Sequence, residues 1–134
     1  MKKISSSFIR SRELILVEAE VIGRDGRTTE AQLIVDTGAA ATTLTPKLVK
    51  RIGYSRKDGY KDAKVQTAIS EERGYWLHVA QLDVLGIATP NFAVTVFPLG
   101  HQNLDGLVGM NFLRHFNFEI RPAEQLIHVE LIEP

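Results

Sequence analysis

No cysteine occurs among the 134 residues of this chain. That excludes disulfides, thiolate zinc sites and a cysteine nucleophile, and it leaves the redox compartment open. Neither sign of charge is in excess, because 16 Lys and Arg balance 16 Asp and Glu. No overall field therefore favours nucleic acid or an anionic membrane. Long apolar runs are missing too. Nothing approaches the ~18 residues of a membrane span, and "LILV" behind the basic N-terminus is too short for a signal-peptide core. The expectation is a soluble, cytoplasmic protein with no nucleic-acid partner and no membrane partner. His78, His101, His115 and His128 lack zinc-ligand spacing, so no metal site is expected. Low-complexity and linker-like segments are absent as well, and the length suits one domain spanning 1–134.

What is present reads mostly as strand. Ile15, Val17, Ala19 and Val21 alternate with Glu18 and Glu20, a period of two with one face buried. "GRDGR" then supplies an Asp-Gly hairpin turn, and "TTEAQLIV" returns as the partner strand. A further strand is expected at "KVQTAI", ending in a charged turn "SEERG" and answered by "YWLHVAQLDV". "NFAVTVF" repeats the alternation, and so does the end of the chain, where Ile127, Val129 and Leu131 alternate with His128 and Glu130. That last strand is a candidate for pairing. Helix signals are few: Thr45 as N-cap before Pro46, an apolar face of Leu48, Val49 and Ile52, and Gly53 as the stop. "GMNFLRHF" predicts a second helix of about two turns. The fold class read from these patterns is mostly β.

One stretch does not fit the pattern of a plain strand end. In "LIVDTGAAATTL" three apolar residues lead into Asp36, followed by Thr37, Gly38 and Ala39 to Ala41. An acidic side chain at the mouth of a buried strand is costly unless it has a structural or chemical use. The structural use is an Asx turn. The chemical use is activation of water for attack on a peptide carbonyl, which works best with two carboxylates. Held about 3 Å apart, two carboxylates share one proton, so that one acts as base and the other as acid. Such a pair needs small residues around it, which Gly38 and the alanines provide. Thr37 adds a hydroxyl that can hydrogen-bond across the pair. The same apolar-to-glycine entry recurs about seventy residues later in "DGLVGMNFL", and two such halves suit a pseudo-two-fold barrel.

"LIVDTGAAATTL" together with "LDGLVGMNFLRHF" resembles the retropepsin-like aspartic proteases, a family that includes the retroviral proteases. The resemblance spans roughly Leu14 to Leu131. It implies an all-β, closed acid-protease barrel with a flap hairpin and one or two short helices. It also implies an aspartic endopeptidase acting on peptide or protein substrates without cofactor or metal. On that resemblance Asp36, Thr37 and Gly38 are the catalytic loop. Leu107, Val108 and Gly109 are the second element, with Asn111 a polar residue just after it. Ala39, Ala40, Leu107 and Val108, with Ala68, Ile69 and Ser70 in a flap reaching to Arg73, are the substrate-binding candidates. Three features differ from the retroviral pattern: Ala40 and Ala41 stand where acidic residues are usual, Met110 where arginine is, and the expected flap tip is charged rather than glycine-rich.

Asp-Thr-Gly occurs once, and Asp25, Asp58 and Asp105 precede glycine directly, as turn residues do. One chain thus offers one aspartate, and the dyad requires a homodimer in which a two-fold partner supplies the second. The alternative reading is a catalytically weak or inactive module on the same fold, used for peptide binding or dimerisation.

Overall fold

The computed structural model describes residues 2–11, 13–66, 68–99 and 104–132. Along β3 (Leu14–Ile22) burial follows the alternation of the sequence, with Val17, Ala19 and Val21 inside and Glu18 and Glu20 outside. At the following turn Asp25 and Gly26 both take positive φ, 56° and 76°, the left-handed pair that a tight reversal of twisted strands requires. The chain returns as β4 (Thr28–Val35), with Ile22 opposite Thr28. β4 in turn lies parallel to β9 (Gly106–Val108), so that Leu33, Ile34 and Val35 face Gly106, Leu107 and Val108. The two apolar-to-glycine stretches that echo one another in sequence are therefore neighbours in space.

The remaining pairings close the sheet. β5 (Thr43–Leu44) pairs with β9 and with β8 (Ile87–Val96), β8 pairs with β7 (Glu71–Val84), and β7 comes back to β3. The order β3-β4-β9-β5-β8-β7 thus forms a six-stranded ring, which removes the exposed edges an open sheet would leave. β2 (Ile9–Ser11) and β6 (Lys61–Gln66) extend beyond it. Leu33, Leu44, Val79, Leu82, Val94 and Val108 fill the core at 0% exposure. Each is worth about 1.5–3 kcal/mol of apolar burial. α1 (Pro46–Arg51) packs Leu48 and Val49 inward; the Thr45 hydroxyl accepts from the Leu48 N–H at 3.3 Å, and Gly53, at φ 92°, ends the turn.

Elsewhere the structure differs from the sequence expectation. β6 and β7 pair in the register Gln66↔Glu71, Val65↔Glu72 and Lys64↔Arg73, so the hairpin reverses between Gln66 and Glu71 and not at "SEERG". Glu71, Glu72 and Arg73 are strand residues on an exposed ribbon. Both faces of the ribbon are wet there, so no apolar alternation marks the strand, and Glu71 is paired with Lys64 and Arg73 instead. α2 (Met110–Leu113) is half the expected length. Phe116 already begins β10 (Phe116–Arg121), where its ring packs edge-on against Phe112. Finally, β1 (Lys2–Ser7) was not legible, since "KKISSS" holds a single apolar residue. It completes a three-stranded sheet in which β11 (Leu126–Leu131) is central, between β1 and β10. The terminal strand does pair, but with its own chain on both edges; the open edges belong to β1 and β10.

Candidate active site

Asp36 sits where β4 leaves the barrel, and its backbone is fixed before its side chain is considered. Its N–H donates to the Val108 carbonyl at 3.0 Å, continuing the β4–β9 ladder by one residue. Its carbonyl accepts from Ala39 N–H at 3.3 Å, which turns the chain back at once. The side-chain Oδ1 accepts from Gly38 N–H at 2.9 Å. Among the described residues this is the carboxylate's one hydrogen-bond donor. The Asx-turn reading of Asp36 is thus correct, and it leaves the group half-exposed. Thr37, Gly38 and Ala40 are exposed, Ala39 half-buried. A Cβ on Gly38 would lie 3.3 Å from Asp36 Oδ1, so a larger residue would press on the carboxylate itself.

The loop is clamped from the second element. Met110 N–H donates to Ala39 carbonyl at 2.8 Å and Asn111 N–H to Ala40 carbonyl at 3.0 Å. Gly109 lies so close that a Cβ there would be 2.6 Å from the Ala41 carbonyl carbon and oxygen. Beyond the alanines Thr42 is fully buried, at 0% exposure. Its hydroxyl accepts from Gly109 N–H at 3.1 Å and donates to Asn111 Oδ1 at 2.8 Å, and its N–H meets the same Oδ1 at 2.8 Å. Asn111 Nδ2 then donates to the Ala93 carbonyl of β8 at 2.9 Å. Behind Asp36, Asp105 braces the strand: Oδ2 accepts from Gln32 N–H at 2.9 Å and Oδ1 from Arg51 Nη2 at 2.9 Å. Its sequence neighbour Gly106 suggested only a turn. The signal that could have singled out Thr42 was a polar residue amid small and apolar ones.

The other sequence candidates divide. Leu107 is half-buried and keeps some surface, whereas Val108 is closed off in the core at 0% exposure. Side chains alternate along β9, so of that pair only Leu107 can face a cleft; Val108 as a lining residue is corrected by its burial. Ala68, Ile69 and Ser70 lie at the β6–β7 tip and are exposed, Ile69 at 96%. The structure brings Asp36, Thr37, Gly38 and Ala39 together with Gly109; it leaves the hairpin tip open to solvent. A cavity of about 930 Å³ lies elsewhere, between β1–β2 and the barrel, lined in part by Ser6, Phe8, Glu18, Glu20, Glu30 and Asp83.

A model of the family described as "gag-polyprotein putative aspartyl protease" matches residues 25–115, which include both elements. The chain belongs to this aspartyl protease family. A retropepsin-like aspartic protease from Rickettsia conorii has the same fold, with a TM-score of 0.72 over 97% of this chain and 92% of that one. Sequence identity with it is 20%, so the likeness is one of architecture. A search of curated proteins returned no match. The all-β retropepsin-like fold expected from "LIVDTGAAATTL" is therefore present. Within this fold the chain presents one aspartate on an open loop that is hydrogen-bonded at both ends.

Proposed function

We propose that the chain is an aspartic endopeptidase, active as a homodimer in which two Asp36 carboxylates meet across a two-fold axis. The observation that carries this reading is the state of Asp36: backbone clamped, one oxygen held by Gly38 N–H, side chain open on a lip of small residues. A rigid scaffold holding a carboxylate at the surface is half of a dyad, and the single Asp-Thr-Gly leaves the other half to a second copy. Two carboxylates at that distance share a proton. The ionised one takes a proton from water as it attacks the peptide carbonyl, and the protonated one donates to the carbonyl oxygen. Collapse of the tetrahedral intermediate sends a proton to the leaving amine. Thr37, which is exposed, would hydrogen-bond across the axis. Ala39, Ala40 and Leu107 would border the substrate, and Ala68, Ile69 and Ser70 would cover it from the hairpin.

The test is cleavage of a diverse peptide mixture between about pH 4 and 7, read by mass spectrometry, with wild type and Asp36→Asn side by side. Cuts made by the wild type and absent from the variant are expected. Absence of cuts from a folded dimer would overturn the endopeptidase reading and favour a peptide-binding module. A strict monomer by light scattering would sink the shared dyad.

A further inference from the structure

We infer that Asn111, acting through Thr42, is the positioning residue that sets the separation of the two Asp36 carboxylates. The inference rests on the dyad reading and deepens it. Thr42 ends the loop that begins at Asp36, and nothing of it reaches solvent. A buried N–H and a buried hydroxyl left without partners would cost about 1–3 kcal/mol each. Both find the same oxygen, Asn111 Oδ1, at 2.8 Å. Two donors converging on one amide oxygen fix where the end of the loop lies. The other end of that amide is held as well, since Nδ2 donates to Ala93 carbonyl at 2.9 Å. Asn111 thus ties the loop to β8, a wall of the barrel, while Gly109 N–H at 3.1 Å from Thr42 Oγ1 completes the bracket from the second element. The start of the loop has its own tie at Asp36 N–H. With both ends fixed and only Thr37 to Ala41 between them, the carboxylate has little freedom to drift.

Position matters because the two ionisations of a dyad are coupled. Closer carboxylates drive the two apparent pKa values apart; looser ones let them converge. Thr42→Val keeps the shape of the side chain and removes the hydroxyl. Asn111→Ala removes both acceptor and donor. Thr42→Ser restores the hydroxyl and is the conservative rescue.

Each variant is assayed at a temperature where circular dichroism shows it folded. The pH profile of kcat, KM, and amide hydrogen exchange across 36–42 are measured together. Thr42→Val and Asn111→Ala are expected to lose kcat by up to about 100-fold, with KM within about twofold. Their bell-shaped profile should narrow from both sides, with the acid limb moving up and the alkaline limb moving down in pH. Exchange should speed up in 36–42 and stay unchanged in β10 and β11, and Thr42→Ser should behave as wild type. A merely structural role would reduce the amount of folded enzyme and leave the width of the bell unchanged, and that outcome overturns the inference. Unchanged exchange in 36–42 also overturns it, whatever the activity. A wild type that cleaves nothing refutes the endopeptidase reading instead, and the exchange arm still decides whether Asn111 holds the loop.

Discussion

Replacing Gly109 by alanine is the smallest change that should damage the site. The added Cβ would stand 2.6 Å from the carbonyl carbon and oxygen of Ala41 and 2.9 Å from the Ala39 carbonyl oxygen. Non-bonded heavy atoms settle at about 3.5–4.0 Å, so the shortfall is about 1 Å. All three obstructing atoms are backbone atoms, and no rotamer change relieves the contact. Either the α2 turn or the Asp36 loop must therefore move. Overpacking of this kind costs about 1–3 kcal/mol, and lengthening the Met110–Ala39 and Asn111–Ala40 hydrogen bonds adds to it. For a chain of this size 1 kcal/mol shifts the melting temperature by about 3–5 °C, so a fall of about 3–15 °C is expected. Activity should suffer more than stability, because a 1 Å displacement of a catalytic group can cost about 100-fold in rate. The control is Gly26→Ala. There nothing lies within 4 Å of the added Cβ, and only the left-handed φ of 76° is penalised, by about 1–2 kcal/mol. Scanning calorimetry and peptide cleavage on both variants separate the cases. A Gly109→Ala protein that melts and cleaves like wild type would refute the claim that this close approach holds the loop.

Ile69→Ser is expected to leave the melting temperature unchanged, because a residue 96% exposed has little packing to lose. If the hairpin covers substrate, KM should rise in the same variant, and peptide-cleavage kinetics check this. Asp58 makes a pH prediction for stability. The Ser55 N–H, and then the charge and hydrogen bond of Arg24, hold its carboxyl below the ordinary aspartate range. A carboxyl with a depressed folded pKa contributes stability above its unfolded pKa and loses it as pH falls through the folded one. Acid unfolding below about pH 4 should therefore be less steep in Asp58→Asn than in wild type, as read by circular dichroism.

What could be read from the sequence was whatever leaves a local signature. Alternation marked β3, β4 and β11, because each has one face on the core. Thr45, Pro46 and Gly53 marked α1 by capping chemistry. The Asp36 loop was legible because a charge after three apolar residues demands a reason. β1 was hidden, since its six residues gain their place from β11, more than a hundred positions away. The charged first residues of β7 resemble a turn in sequence because a ribbon with both faces in water carries no periodic signal. Asn111 and Asp105 were visible as residues but not as braces. Their partners, Thr42 and Gln32, lie 69 and 73 positions away, and the pairing of β9 with both β4 and β5 brings them together.

The same geometry explains why a half-built site need not destabilise the single chain. A carboxylate buried without a counter-charge would cost several kcal/mol; here Asp36 is half-exposed and keeps water around it while Gly38 N–H holds one oxygen. Bringing a second Asp36 within about 3 Å removes that water and sets like charges against each other, which one shared proton relieves only in part. Association in the proposed homodimer would therefore draw its free energy from surface away from the dyad. The terminal sheet offers some: β1 and β10 present open edges, and Ile9 and Ile132 near its ends are 49% and 59% exposed. Unpaired strand edges and exposed apolar residues both favour a second copy. On this argument the chain separates two tasks. In the proposed dimer the barrel and its Thr42–Asn111 bracket would place one carboxylate, and the chain ends would supply the attraction that overcomes the repulsion between two.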